Sequence, residues 1–260
     1  MRIFAISDLH ADFRENRRLL ERISAGEHRG DALIVAGDVA DNVALATDVL
    51  GELRQRFAEL FFVPGNHELW VRGETRDSVE KFHAVLAACR AAGVRTAPAR
   101  AGDAWVVPLF SWYDASFDVA GDADADSLEA WSDRYFCRFP ESAGRVDRFF
   151  AAMNEPNLRP YDAPVVSFSH FVPRPELVPA VRWLRFKGLP LVAGSTEIEA
   201  QLRRISARVH VFGHTHIPQD RVVDGVRYVH NHLRAEGSGE GGLLKRVWPG
   251  EDPPFAPLFC

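Results

Sequence analysis

The sequence predicts an α/β fold, and three observations carry that expectation. Short apolar runs of strand length recur along the chain, amphipathic helical patterns lie between the early ones, and most of the polar chemistry falls just after the runs. The apolar runs cover residues 3–7, 32–36, 60–63, 105–110, 165–169 and 209–212. Val43, Leu45, Ala46, Val49, Leu50 and Leu53 mark a helix between the second and third. A second helix is expected over about 75–92, with Val79, Phe82, Leu86 and Cys89 on one face and Gly93 as its stop. Thr196 followed by Glu199 reads as a capping box opening a helix that ends near Ile205. Residues 222–229, around Asp224-Gly225, form a hairpin signal of type I′. There is no internal repeat.

Composition narrows the classes. A chain of 260 residues buries a sizeable core, and its 47% apolar and 26% charged residues are ordinary for a globular protein. A formal charge of −5 argues against a broad nucleic-acid-binding face. Cys89, Cys137 and Cys260 form no zinc or redox motif, which suits a reducing cytoplasm. Neither a signal peptide nor a membrane span is expected, since the first apolar run is too short for either. The reading is one domain over 1–248, with an inserted lid or rim at about 111–160, and an extended tail over 249–260.

The ends of the apolar runs carry the chemistry. Asp8-Leu9-His10 follows the first and Gly37-Asp38 the second. Gly65-Asn66-His67-Glu68 follows the third, His170 the fifth and Gly213-His214-Thr215-His216 the sixth. In an α/β sheet such strand ends converge on one crevice. Pairs such as Asp8/His10 and His214/His216 are expected to point the same way in extended chain. Glycine before Asp38, Asn66 and His214 suits tight turns and close backbone approach. Carboxylate, amide oxygen and imidazole form a ligand set for first-row transition metals. Two ions about 3.5–4 Å apart can share so many groups through one bridging carboxylate.

On these motifs, with Asp41 four residues after Gly37, the sequence resembles the calcineurin-like metallophosphoesterase family. The resemblance implies a two-sheet β-sandwich flanked by helices, a four-layer αββα fold of the metallo-dependent phosphatase type. It implies that Asp8, His10, Asp38 and His216 hold one divalent ion, and that Asp38, Asn66, His170 and His214 hold the other. His67 and Asp38 take the catalytic roles. Two cations would neutralise phosphate oxygens and acidify a bridging water for in-line attack, with Asp38 bridging and His67 protonating the leaving oxygen. Mn, Fe, Zn, Co and Ni all suit such ligands.

Further candidates lie around that set. Asp41 and Glu68 would orient a ligand histidine, or Glu68 would cap a helix. Of Trp112 and Tyr113, one is expected to close the core and the other to touch a ligand. Arg72 or Arg134 is expected to grip phosphate. Residues 131–150, rich in Trp, Tyr, Phe and Arg, suit a lid or a dimer surface. His28 and His83 read as exposed or half-buried, His210 as a core histidine, and His230 and His232 as returning past the cleft. Asp122, Asp124 and Asp126 fail as a calcium loop, because Ser127 stands where glycine is needed and Asp133 where glutamate is. Pro173 and Pro175 read as a rigid exit from the site into a helix. The expected activity is hydrolysis of a small phosphomonoester or phosphodiester, nucleotides included. A nuclease or protein phosphatase is the alternative, and a non-catalytic metal scaffold ranks last because every ligand position and His67 are present.

Overall fold

In the computed structural model, which describes residues 1–234 and 243–249, two sheets face each other. The strands are β1 (Ile3–Ile6), β2 (Ala32–Val35), β3 (Glu59–Phe62), β4 (Ala99–Ala101), β5 (Ala104–Pro108), β6 (Val165–Phe168), β7 (Ala207–Phe212), β8 (Gln219–Val223), β9 (Val226–His230) and β10 (Lys245–Trp248). The helices are α1 (Arg14–Glu21), α2 (Val43–Arg54), α3 (Ser78–Ala91), α4 (Asp133–Phe136), α5 (Val146–Met153) and α6 (Thr196–Arg204). One sheet runs β10-β1-β2-β3 and the other β4-β5-β6-β7-β9-β8. The inner neighbours β1-β2-β3 and β5-β6-β7-β9 are parallel, and antiparallel strands close the edges at β10, β4 and β8.

Alternation along each strand builds the layers. Ile3 and Ala5 of β1 point between the sheets, as do Ile34 of β2, Phe61 of β3, Val166 and Phe168 of β6, and Val211 of β7. Their neighbours Phe4, Ile6, Leu33, Val35, Leu60 and Phe62 point the other way, onto α2 (Val43–Arg54) and α3 (Ser78–Ala91). On the far side, Val107, Val165 and Tyr228 pack with Ile198 and Leu202 of α6 (Thr196–Arg204) and Phe150. The order is therefore helices, sheet, sheet, helices, as the resemblance implied. Strands buried on both faces read as continuous apolar runs, which is why they were visible in the sequence.

Some boundaries move. The helix expected from about 75 begins at Ser78, because Asp77 is the N-cap and Glu80 completes a capping box. The helix at 196 is capped by Ser195, one residue before the expected Thr196; Ser195 Oγ accepts from Glu197 N at 3.2 Å. After Pro173 the chain makes short 3-10 turns, Pro175–Leu177, Val181–Trp183 and Leu189–Leu191, instead of the expected helix. Asp224 and Gly225 both have positive φ, 47° and 79°, as a type I′ hairpin requires. The expected tail beyond 249 lies outside the described residues. Among the described residues, no helix is long and apolar enough to cross a membrane.

Candidate metal centre

Five loops, those after β1, β2, β3, β6 and β7, meet at one rim. Asp8, His10 and His216 bring one ligand atom each within 4.8 Å of one another, and so do Asp38, His170 and His214. Asp38 also groups with His10 and His67, so it stands between the two sets. Asp8 and His10 do not come together through an extended chain, and neither do His214 and His216. Their φ values are 53°, 41°, 73° and 53°, and Asp38 stands at 55°. Among the described residues, seven non-glycine residues have positive φ, and five are these candidate ligands. Each such residue costs of order 1 kcal/mol or more, and strain of this kind gathers at functional sites.

The glycines before the ligands are required by contact. A Cβ on Gly65 would collide with the Asp38 carboxylate and lie 2.8 Å from the His170 ring; one on Gly37 would strike that ring from another side. Glu68 is 1% exposed, and its carboxylate accepts N–H bonds from Gly65 (2.7 Å), Asp38 (3.0 Å), Val39 (2.6 Å) and Ala40 (3.2 Å). It neither orients a histidine nor caps a helix; it pins the loop after β2 to the loop after β3. Burial and the nearby Asp38 charge push its pKa up to about 7, against those N–H donors. Lys81 of α3 does related work, donating from its buried ammonium to Asp41 O at 2.7 Å and to Trp70 O.

Ring nitrogens are fixed by backbone. His170 donates Nδ1–H to Ala36 O at 2.9 Å, and His214 donates Nε2–H to Val192 O at 3.0 Å. The opposite nitrogens lie 3.1 Å and 3.2 Å from Asn66 Oδ1. With both rings neutral, these two nitrogens and Asn66 Oδ1 are three acceptors facing one point, an arrangement that a bound cation would satisfy. The local field agrees. Burial would neutralise His170, yet the Asp38 and Asp8 carboxylates outweigh it and raise its pKa to about 9. Burial opposes ionisation of Asp8 too, but hydrogen bonds from His216 and His230 hold it well below the usual carboxylate range. This donor set and field fit divalent cations.

His67 meets the His10 ring edge-on, with centroids 4.6 Å apart. Its Nδ1–H donates to Asp41 Oδ1 at 2.7 Å, and its Nε2 is 3.9 Å from Asp38 Oδ2. Burial disfavours its cation, but Asp38 and Asp41 outweigh burial and raise its pKa to about 9. Arg72 lies over the Trp70 and Phe136 rings and 3.6 Å from Asp41 Oδ2. Trp112 is the aromatic that closes the core, against Phe139 and Phe171. Tyr113 stacks toward His214, with ring centroids 6.4 Å apart. Arg134 is exposed.

Sequence reasoning missed two neighbours, Asp133 and Lys81, and marked a third, His230, only as returning past the cleft. Asp133 accepts from Asn66 Nδ2 at 2.9 Å, although nothing in its local pattern marks it. Lys81 looked like an ordinary helix lysine. His230 is buried 3.4 Å from Asp8 Oδ2, and only its place after a strand pointed to it. His28 is buried rather than exposed, stacked on Phe57 and 3.3 Å from Asp31. His210 is a core residue as expected.

The calcineurin-like phosphoesterase family model matches residues 1–218. The chain belongs to that family. As a calcineurin-like phosphoesterase it is a hydrolase of phosphoric ester bonds, in a family that uses divalent metals. It is 32% identical over 250 residues to an acyl-carrier-protein phosphodiesterase, PptH, of Mycobacterium tuberculosis, covering 87% of this chain and 75% of the relative. The crystal structure of the phosphopantetheinyl hydrolase PptH from that organism superposes with a TM-score of 0.80 at 27% identity, covering 98% of both chains. A second crystal structure, at TM-score 0.51 and 16% identity over 89% of this chain and 90% of its own, bears on the fold alone.

Proposed function

We propose that this calcineurin-like phosphoesterase is a two-metal phosphodiesterase. In this reading Asp8, His10, Asp38 and His216 hold one ion and Asp38, Asn66, His170 and His214 the other. The observation that carries it is the pair of ligand groups in which Asp38 lies between the two sets, with the Asn66, His170 and His214 acceptors converging on one point. When bound, the two cations supply charge to offset the phosphate oxygens and to acidify a water for in-line attack. His67 then places its Nε2 toward the leaving oxygen, held by Asp41 at Nδ1, and delivers the proton. Tyr113, Arg72 and Arg134 line the approach, with residues 111–160 as the rim inserted into a single domain over 1–248.

We infer the diester class and its substrate from the PptH similarity, which spans nearly the whole chain. The bond proposed is the phosphodiester that joins a phosphopantetheinyl arm to a carrier protein. Cys89 and Cys137 are free thiols, which supports a cytoplasmic setting.

The test is turnover of p-nitrophenyl phosphate, bis-p-nitrophenyl phosphate and a phosphopantetheinylated carrier protein, after chelation and after reloading with Mn²⁺. Reloaded enzyme is expected to cleave the diester and free the arm from the carrier. Asp38→Asn should lose more than about 100-fold, beyond what an outer partner of a metal usually costs. Metal-dependent turnover confined to the monoester, with the carrier left intact, would sink this reading.

A further inference from the structure

The Asp133 carboxylate lies outside every metal-ligand motif, yet it is 3% exposed and touches the metal centre. Its Oδ1 accepts from Asn66 Nδ2 at 2.9 Å and from Trp70 Nε1 at 2.6 Å, and its Oδ2 accepts from Trp131 Nε1 at 3.0 Å. A carboxylate only accepts, so Asn66 must turn its NH₂ group toward Asp133. That leaves one orientation for the amide, with Oδ1 3.1 Å from His170 Nε2 and 3.2 Å from His214 Nδ1. Rotated by half a turn, the amide would set oxygen against oxygen at Asp133 and direct two N–H groups at the place where acceptors converge.

We propose that Asp133 is a positioning residue that fixes the Asn66 amide with its oxygen toward the second metal position. The proposal rests on Asn66 being a ligand there. Further contacts support it. Trp131 stacks on Phe186 with centroids 5.3 Å apart and meets the His214 ring edge-on at 5.8 Å. The same carboxylate thus anchors the aromatic wall beside a second ligand of that position. On its other side it holds Trp70, whose ring lies 3.7 Å from that of His67. Residues 111–160 are in this way built onto the metal centre through one buried acceptor.

The experiment is stepwise Mn²⁺ titration by calorimetry, with the spin-coupled Mn pair followed by electron paramagnetic resonance. Wild type is expected to bind two ions. Asp133→Ala should keep the first affinity, weaken the second by about 10–100-fold, and lose the coupled signal at Mn²⁺ levels that saturate wild type. Asp133→Leu, which fills the volume, should behave the same and serves if the alanine variant does not fold. Asp133→Asn keeps an acceptor oxygen for Asn66 and Trp70, so it should restore the second ion to within a few-fold of wild type. Wild-type binding of both ions by Asp133→Ala, or equal weakening of both, would overturn the positioning role. A wild-type protein that binds one ion would instead overturn the ligand assignment beneath it.

Discussion

His67 shows how one side chain takes its role from two neighbours. Asp41 receives its Nδ1–H at 2.7 Å, which leaves Nε2 facing the Asp38 side of the site. Removing the ring should therefore remove the proposed proton delivery and spare the proposed ligands. His67→Ala is expected to lower kcat by about 10²–10⁴-fold on an ester with a poor leaving group, with bound metal unchanged by elemental analysis. Loss should be much smaller with nitrophenolate, which departs without a proton. Full activity of the variant on the poor leaving group would remove His67 from that role. Glu68 teaches the opposite lesson: a motif residue beside the site spends its carboxylate on four backbone N–H groups and holds loops.

Among the elements, α3 joins helix stability to the site. Asp77 caps it, accepting from Val79 N at 2.9 Å and Glu80 N at 2.8 Å, while the Glu80 carboxylate accepts in return from Asp77 N at 2.8 Å. Four residues after the cap, Lys81 ties the helix to the loops that carry Asp41 and Trp70. Asp77→Ala should cost about 1 kcal/mol, read as a lower urea midpoint at unchanged m-value. An unchanged midpoint would mean the cap contributes nothing to global stability. The elements were also where sequence reading held best. Apolar runs doubly buried in parallel sheets gave the inner strands, and glycine before Asp38 and Asn66 marked turns whose space is filled by ligand side chains.

For the molecule as a whole, one buried histidine between the layers sets a pH response. Ser169 Oγ donates to Phe171 O, so His210 donates Nε2–H to Ser169 and accepts at Nδ1 from Ser167 at 2.8 Å. Burial lowers its pKa to about 3, below the roughly 6.5 of an unfolded histidine. The unfolded chain thus binds a proton that the folded one refuses. His210 costs no stability above pH about 6.5, and its contribution falls by about 1.4 kcal/mol per unit as pH drops toward 3. His210→Asn should flatten the stability–pH slope between about 6.5 and 4 by one proton; an unaltered slope would contradict the neutral assignment. The α/β class, the inner strands and the seven candidate ligands that meet at one rim could be read from the amino-acid order, because each is written locally, as an apolar run followed by a polar residue of distinctive type. The left-handed backbone at Asp8, His10, Asp38, His214 and His216, the sheet order with β10 beside β1, and the reach of Lys81, Asp133 and His230 to the centre could not. Those depend on contacts between residues far apart in the chain, such as Asn66 with Asp133 and Asp8 with His230, and only packing the two sheets and their loops together brings such partners within hydrogen-bond range.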